Sequence, residues 1–394
     1  ILMGKVKRTF QEINDKIARK EAIVMTAEEV ISLKEEQGIA KATEMVDVVT
    51  TGTFGPMCSS GAFFNVGHSD PPIRMQKVWL NDVMAYAGLA AVDFYLGATQ
   101  LSETERNDYG GAHVIEDFVK GKNIRLKAIS GGTDCYPARE VEATISKNTV
   151  NQAFMVNPRN SYQNYNVAVN QSSKKIYTYM GILLPELGNA SYSTSGQLSP
   201  LLNDPDLRTI GIGTRIFIGG AQGYVIWEGT QFNPQPIFGK DDKEKIIGKK
   251  GAVLSLIGDL KEMNPDFLQA AFFSGYGVTL YMGIGVPIPI LDEEMLKAVS
   301  IKDEEIYTEI TDYSYPHLNK PSLGVVNYNQ LRSGQIEIKG KKIPTSSVSS
   351  YAKAREIAST LKDLIVKGQF LLQEPIQPFP SKREFKQLKT KRVQ

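Results

Sequence analysis

The sequence predicts an α/β or α+β protein, with mixed sheets, flanking helices and long glycine-rich loops. Three observations lead there. Helical stripes and β-branched runs are interleaved along the whole chain instead of being segregated. The glycines, 34 among 394 residues, gather in a few segments. No self-similar period of about 20–50 residues is present, which removes solenoids and propellers. A chain of this length holds two or three ordinary domains or one elaborated core.

Residues 9–22 read as a polar amphipathic helix with Phe10, Ile13 and Ile17 on one side. Thr26 and Glu29 make a capping-box signature for a second helix, closed by Gly38. Residues 46–51 are β-branched and suit a buried strand. They lead into an expected long irregular loop around Cys58, whose glycines, prolines and small hydroxyl residues let backbone approach a ligand closely. Residues 79–99 mix alanines with larger apolar residues and read as a buried helix running into a strand. A helix over 112–120 and an alternating strand over 123–129 follow. The second thiol loop, SGGTDCYPARE at 130–140, places Cys135 beside Asp134 and Pro137. From there to about residue 196 the chain is rich in tyrosine and asparagine, which suits strands and ordered loops that build a pocket. Residues 209–230 read as a hairpin with glycine pairs, and 274–290 share that texture. Residues 322–344 are polar β-sequence with a turn at Lys339-Gly340. The last element is a helix over 350–367, with Ala354, Ile357, Ala358, Leu361, Leu364 and Ile365 on one stripe and Gly368 as its stop.

Three regions are expected: residues 1–235 with both thiol loops, 236–370 as a continuation of the core or a second subdomain, and a basic tail at 371–394. The composition change near 235–250 marks the boundary. Net charge is +2, while residues 381–394 carry six basic residues and one acidic, so the preceding 380 residues carry −3. The body is therefore not a binder of nucleic acid, and the tail reads as a solvated end. Two cysteines argue against a secreted disulfide framework and cannot supply a four-ligand zinc or iron–sulfur site within one chain. With no apolar leader and no run of membrane-spanning length, a soluble cytoplasmic protein is expected.

No bound cofactor and no metal are expected. Gly211-x-Gly213 lacks the third glycine of a dinucleotide fingerprint, Gly283-x-Gly285 runs into Val286-Pro287, and no GxxxxGK[ST] loop exists. The three histidines form no HExxH motif. Cys58 is the candidate nucleophile, because a thiol after a strand, backed by Ser59, Ser60 and free amides, is placed where a thiolate can be stabilised. The alternative is a small buried hydrophobe. His68 would pair with Cys58 and shuttle protons, or be satisfied by backbone. Arg74, Arg139 and Arg159, in non-periodic stretches, are candidates for a clamp on a small carboxylate.

The stretches TGTFGPMCSSGAFFNVGHSDPPIRMQKVWLNDV, SGGTDCYPAREVEATI, NPRNSYQNYNVAVN, IGIGTRIFIGGAQGYVIWEGTQ and SGYGVTLYMGIGVPIPIL span nearly the whole chain to about residue 370. On these the sequence resembles the homocysteine-biosynthesis domain family of anaerobic microbes. The resemblance implies transfer of sulfur onto L-aspartate semialdehyde, without pyridoxal phosphate, and implies that Cys58 and Cys135 carry sulfur and redox chemistry. It also implies an external reductant, a ferredoxin-like iron–sulfur protein, and a sulfide or persulfide donor. Some relatives append nucleotide-sensing modules, which this sequence does not contain. In this reading Cys58 attacks the aldehyde, Ser59 and Ser60 stabilise charge, and Cys135 resolves, with both thiols in one cleft of a possible homo-oligomer. Two other readings remain: an acyl- or CoA-transferase using the glycine loops, whose activity survives alkylation of the cysteines, and a non-enzymatic ligand-binding scaffold, whose thiols are inert.

Overall fold

The structure is a computed structural model that describes residues 6–104, 108–161, 165–240, 246–383 and 386–391. Its helices and strands mix throughout the chain, giving an α+β architecture. The largest element is a nine-stranded antiparallel sheet. Eight strands follow the order Leu268–Phe273, Gly277–Gly285, Arg215–Ile218, Ala221–Glu228, Val253–Asp259, Gln152–Ser161, Gly61–Asn65 and Asp93–Gly97. The ninth, Thr53–Pro56, pairs with Gly277–Gly285. Helix Gly111–Val119 packs on strands from both ends of this order and joins its two edges. Its Ala112, Val114, Ile115 and Phe118 enter the main core with Phe64, Phe94, Leu256 and Leu280.

A three-stranded sheet joins Val24–Thr26, Val48–Thr50 and Pro287–Pro289. Helix Tyr351–Val366, expected over 350–367, lies between it and the large sheet and is capped by Ser350, whose side chain accepts from the Lys353 amide. Its Ile357, Leu361 and Ile365 are fully buried, each worth about 2 kcal/mol on the transfer scale. They share a cluster with Phe10, Ile13 and Ile17 of helix Phe10–Ala18 and with Phe370. Two hydrogen bonds between the side chain of Asn14 and the backbone of Leu372, at 2.9 and 2.8 Å, tie the two ends of the chain together.

A six-stranded sheet, in the order Ser322–Asn327, Tyr307–Asp312, Val167–Val169, Ala190–Tyr192, Lys341–Ser347 and Gln335–Ile338, faces the large sheet across a cleft. A four-stranded meander of Val83–Ala85, Lys77–Leu80, Ile124–Ile129 and Glu140–Ile145 carries the Cys135 hairpin. Strands Asn233–Lys240 and Ile246–Gly251 pair with each other alone, and residues 241–245 between them lie outside the described residues. The proposed boundary at 235 thus falls on the first strand of this ribbon. Among the described residues no helix is long and apolar enough to cross a membrane.

Two local expectations are corrected. The span 79–99 contains no helix: Lys77–Leu80 and Val83–Ala85 form a hairpin, and Asp93–Gly97 enters the large sheet. Its turn is Asn81-Asp82, both at positive φ (47° and 62°), which twists a two-residue connection the way a hairpin needs. The expected Cys58 loop is likewise interrupted by strands Thr53–Pro56 and Gly61–Asn65, with residues 57–60 as their connection, and is irregular only beyond them, over residues 66–76.

Asp292 caps helix Glu293–Val299 through the Met295 amide at 2.9 Å and receives both Arg208 guanidinium nitrogens at 3.0 and 2.6 Å. The Arg208 hydrogen bonds hold its carboxyl below the usual aspartate value. The stabilisation is therefore complete above the ordinary carboxylate range and is lost as pH falls through the lowered folded value. Asp292→Ala is expected to cost about 1–2 kcal/mol, read as a lower urea midpoint near neutral pH that merges with the wild-type value in acid.

Candidate active site

The Cys58 turn is fixed from both sides of the large sheet. The Met57 amide donates to Leu280 O at 2.8 Å and the Ala98 amide to Ser60 O at 2.9 Å. Within the turn the Ser60 amide reaches Met57 O at 3.0 Å. Gly61 follows because a Cβ there would lie 2.7 Å from the backbone oxygen of Leu96 and 2.1 Å from the Tyr95 hydroxyl. Beneath the turn lies the Asn-Pro-Arg-Asn run at 157–160. Buried Asn157 donates to Ser60 Oγ at 3.0 Å and accepts from Ser59 Oγ at 2.9 Å and from the Arg159 amide at 3.0 Å. The side-chain amide of Asn160 contacts Met57 Sδ. The hydroxyls of Ser59 and Ser60 are thus engaged in holding the turn, and Ser59 also lines the cleft beside Cys58.

Cys58 is half-buried and lines a cleft of about 450 Å³ between the two large sheets, a size suited to a small metabolite. Thr279 Oγ1, fully buried, donates to Cys58 Sγ at 3.4 Å. Tyr276 lines the same cleft; burial first, and the neighbouring Cys58 second, push its phenol up to about 12. Tyr281 is also pushed up to about 12 by burial and by Cys58, and its hydroxyl donates to Val348 O at 2.9 Å. The opposite wall is hydroxyl-rich. Ser193 and Ser349 bond each other at 2.8 Å, Tyr179 bonds Tyr313 at 2.9 Å, and the buried Ser195 Oγ has no hydrogen-bond partner among the described residues. Arg159 is the one cation among the described lining residues, no carboxylate lines the cleft among them, and its guanidinium has no ion-pair partner there.

The other expected residues lie elsewhere. Strand Gly61–Asn65 leads away from Cys58 and spans about 14 Å. At its far end Val66 bonds Val92 O, Met75 bonds Ala91 O, and Pro72 O accepts from Ala138. There the His68 ring stacks on Tyr136, with centroids 6.0 Å apart, next to exposed Cys135 on its hairpin turn. Arg74 and Arg139 are exposed in the same region. The expected Cys58–His68 pair and the two-thiol cleft are therefore corrected. The strand separates them, and Cys135, His68, Arg74 and Arg139 do not line the Cys58 cleft. Tyr276, Thr279, Asn157 and Ser195 are site residues that the reading of the sequence missed. The one signal available was the Gly-Tyr-Gly run at 275–277, whose glycines both have positive φ (69° and 133°). No group of three or more His, Cys, Asp and Glu able to hold a metal ion occurs among the described residues.

Fold and site together define a class: proteins that deliver a half-buried thiol to a small, hydroxyl-lined cleft in which, among the described residues, one arginine is the cation. The family signature described as "Homocysteine biosynthesis enzyme, sulfur-incorporation" matches residues 22–372, and the chain belongs to that family. It is 50% identical over 384 residues to the L-aspartate semialdehyde sulfurtransferase of Methanosarcina acetivorans, covering 98% of this chain and 74% of the relative. It is 53% identical over 386 residues to the protein of the same name from Methanocaldococcus jannaschii, covering 94% of this chain and 73% of the relative. The chain thus spans about three quarters of the length of these relatives. No solved structure matches it.

Proposed function

We propose that this chain is a sulfurtransferase that incorporates sulfur into L-aspartate semialdehyde to give homocysteine, with Cys58 as the reacting thiol. The observation that carries the site assignment is the placement of Cys58 at the wall of a metabolite-sized cleft whose lone cation, Arg159, is free to meet a carboxylate. Converting an aldehyde and hydrogen sulfide into a primary thiol and water consumes two electrons and two protons. If the sulfur instead arrives as a persulfide on Cys58, at the oxidation level of elemental sulfur, two further electrons are needed. We assign the electrons to an external reductant, a small ferredoxin-like iron–sulfur protein, and the sulfur to a sulfide or persulfide donor. Exposed Cys135 lies outside the cleft, and we assign it to the encounter with such an external partner instead of a disulfide with Cys58 of the same chain. Two free thiols fit a reducing compartment, and the protein is assigned to the cytoplasm.

The test is incubation with sulfide, aspartate semialdehyde and a reductant, followed by mass spectrometry. Homocysteine is the expected product, and a persulfide route adds about 32 Da to a thiol. Absence of homocysteine with every reactant present removes the proposal. Arg159→Met is expected to raise KM for the semialdehyde by about 10- to 100-fold with a smaller effect on kcat, because it removes a charge-assisted contact made before reaction. Steady-state kinetics checks the split.

A further inference from the structure

We infer that Ser195 is a substrate contact whose buried hydroxyl accepts a hydrogen bond from the substrate's α-ammonium group while Arg159 holds the carboxylate. The cleft thereby selects a 2-amino acid over the same carbon chain without its amino group. The inference rests on the reading that the Cys58 cleft takes the semialdehyde, and it says what recognises the end of that molecule away from the thiol.

Ser195 lines the cleft, is 1% exposed, and its Oγ has no hydrogen-bond partner among the described residues. Its own turn does not use the hydroxyl. Ser195 precedes the short 3-10 turn Gly196–Leu198, a position where a serine side chain ordinarily caps the amides ahead of it, yet it makes no such bond. Those amides have other partners: Gly196 donates to Thr194 Oγ1 at 3.0 Å and Gln197 to Asp303 Oδ1 at 2.8 Å. Ser195 O accepts from the Leu198 amide at 3.0 Å. Gly196, at φ 53°, leaves no room for a Cβ beside the Asp303 carboxylate, so the turn is fixed from behind. Backbone thus holds Ser195 in place with its hydroxyl unpaired. A buried hydroxyl left in that state is costly, which marks a place where a partner arrives from outside the chain.

The composition of the wall decides what that partner is. No carboxylate lines the cleft among the described residues, so an ammonium entering it must be met by neutral oxygen. Ser193 and Ser349 already share a hydrogen bond, Ser59 Oγ bonds Asn157 and Arg159 O, and Thr194 Oγ1 takes the Gly196 amide. Ser195 Oγ keeps both lone pairs open. The spacing suits a short molecule. Strand Thr53–Pro56 runs along this wall: the Gly52 amide donates to Leu198 O at 2.9 Å, and a Cβ on Gly55 would lie 3.8 Å from Ser193 Oγ. From Gly55 to Cys58 is three residues, at most about 10 Å of chain. A four-carbon molecule, held by the ammonium on its second carbon and met by the thiol at its fourth, covers that reach. A chain without the ammonium leaves the buried acceptor unpaired, and this turns a contact into selection.

Two stable mimics test the inference without any reaction. L-homoserine has the carbon chain, ammonium and carboxylate of the semialdehyde with an alcohol in place of the aldehyde, and 4-hydroxybutanoate lacks the ammonium. Titration calorimetry is expected to show the wild type binding L-homoserine about tenfold or more tightly than 4-hydroxybutanoate. Ser195→Ala is expected to weaken L-homoserine about tenfold and to leave 4-hydroxybutanoate within about twofold, whereas Arg159→Met weakens both. Should the alanine variant not fold, Ser195→Cys is read in the same way, because a thiol accepts hydrogen bonds weakly. Equal losses for both ligands in the Ser195 variant overturn the inference and mark a residue that only shapes the cleft. An unchanged affinity for L-homoserine, or no binding of it by the wild type, overturns the inference as well. Homocysteine formation is assayed separately. Product made without Ser195-dependent discrimination ends the inference alone, and discrimination without product removes the proposed reaction while the recognition stands.

Discussion

Cys58→Ala is expected to reduce homocysteine formation by about three orders of magnitude, while the fold survives. Among the described lining residues Cys58 carries the one thiol, the group that the proposed reaction uses to attack the carbonyl or carry a persulfide. Serine and threonine oxygens there are either spent on Asn157 and on each other or lack a base beside them. Structurally the change is small. Cys58 is only half-buried, and its turn is held by backbone bonds from Leu280 and Ala98 and by Asn157, none of which uses the sulfur. The one loss is the acceptor of Thr279 Oγ1, worth about 1 kcal/mol. Turnover measured beside a thermal melt therefore separates chemistry from folding. Full activity in the alanine variant, with sulfide and reductant supplied, removes the thiol from the reaction.

Gly111→Ala is expected to destabilise the protein by about 3 kcal/mol or more. A Cβ at this position would lie 1.9 Å from Gly97 O, 2.9 Å from Gly97 C and 3.3 Å from Ala98 Cα, all backbone atoms that no rotamer change can remove. Relief requires the first turn of helix Gly111–Val119 to shift away from strand Asp93–Gly97. That shift breaks the bond from the Ala112 amide to Ala98 O, and Ala98 in turn holds Ser60 O in the Cys58 turn. Loss of stability and loss of activity should therefore appear together. Gly131→Ala is the control, since its nearest neighbour would be Gln76 Oε1 at 3.7 Å. Urea unfolding of both variants checks the contrast, and equal midpoints would show that the helix yields without cost.

How much of this was legible in the sequence depended on whether the signal was local. The helix at 351–366 carries its cap and stripe within its own residues, and the hairpin turns at Gly219-Gly220 and Lys339-Gly340 carry residues that accept positive φ. The span 79–99 misled because Ala85, Ala87, Ala90 and Ala91 suit a helix, while the deciding residues were the turn pair Asn81-Asp82. In the site, Cys58 and Arg159 stood out as a thiol and a cation in irregular sequence. Their neighbours did not, because Thr279 and Tyr276 reach Cys58 only through the register of two strands far apart in sequence. The expectation of a thiol pair failed for the same reason. Cys58 and His68 are close in number but stand at either end of an extended strand.

The junction of Asn14 with Leu372 bears on how the protein is made. These residues are 358 positions apart, which at ordinary ribosomal speed separates their appearance by about 20–70 seconds. Throughout that interval the apolar stripe of helix Phe10–Ala18 lacks part of its packing surface, because Leu361, Ile365 and Phe370 are still untranslated. Helix Phe10–Ala18 thus completes its packing only after residues 361–372 have emerged.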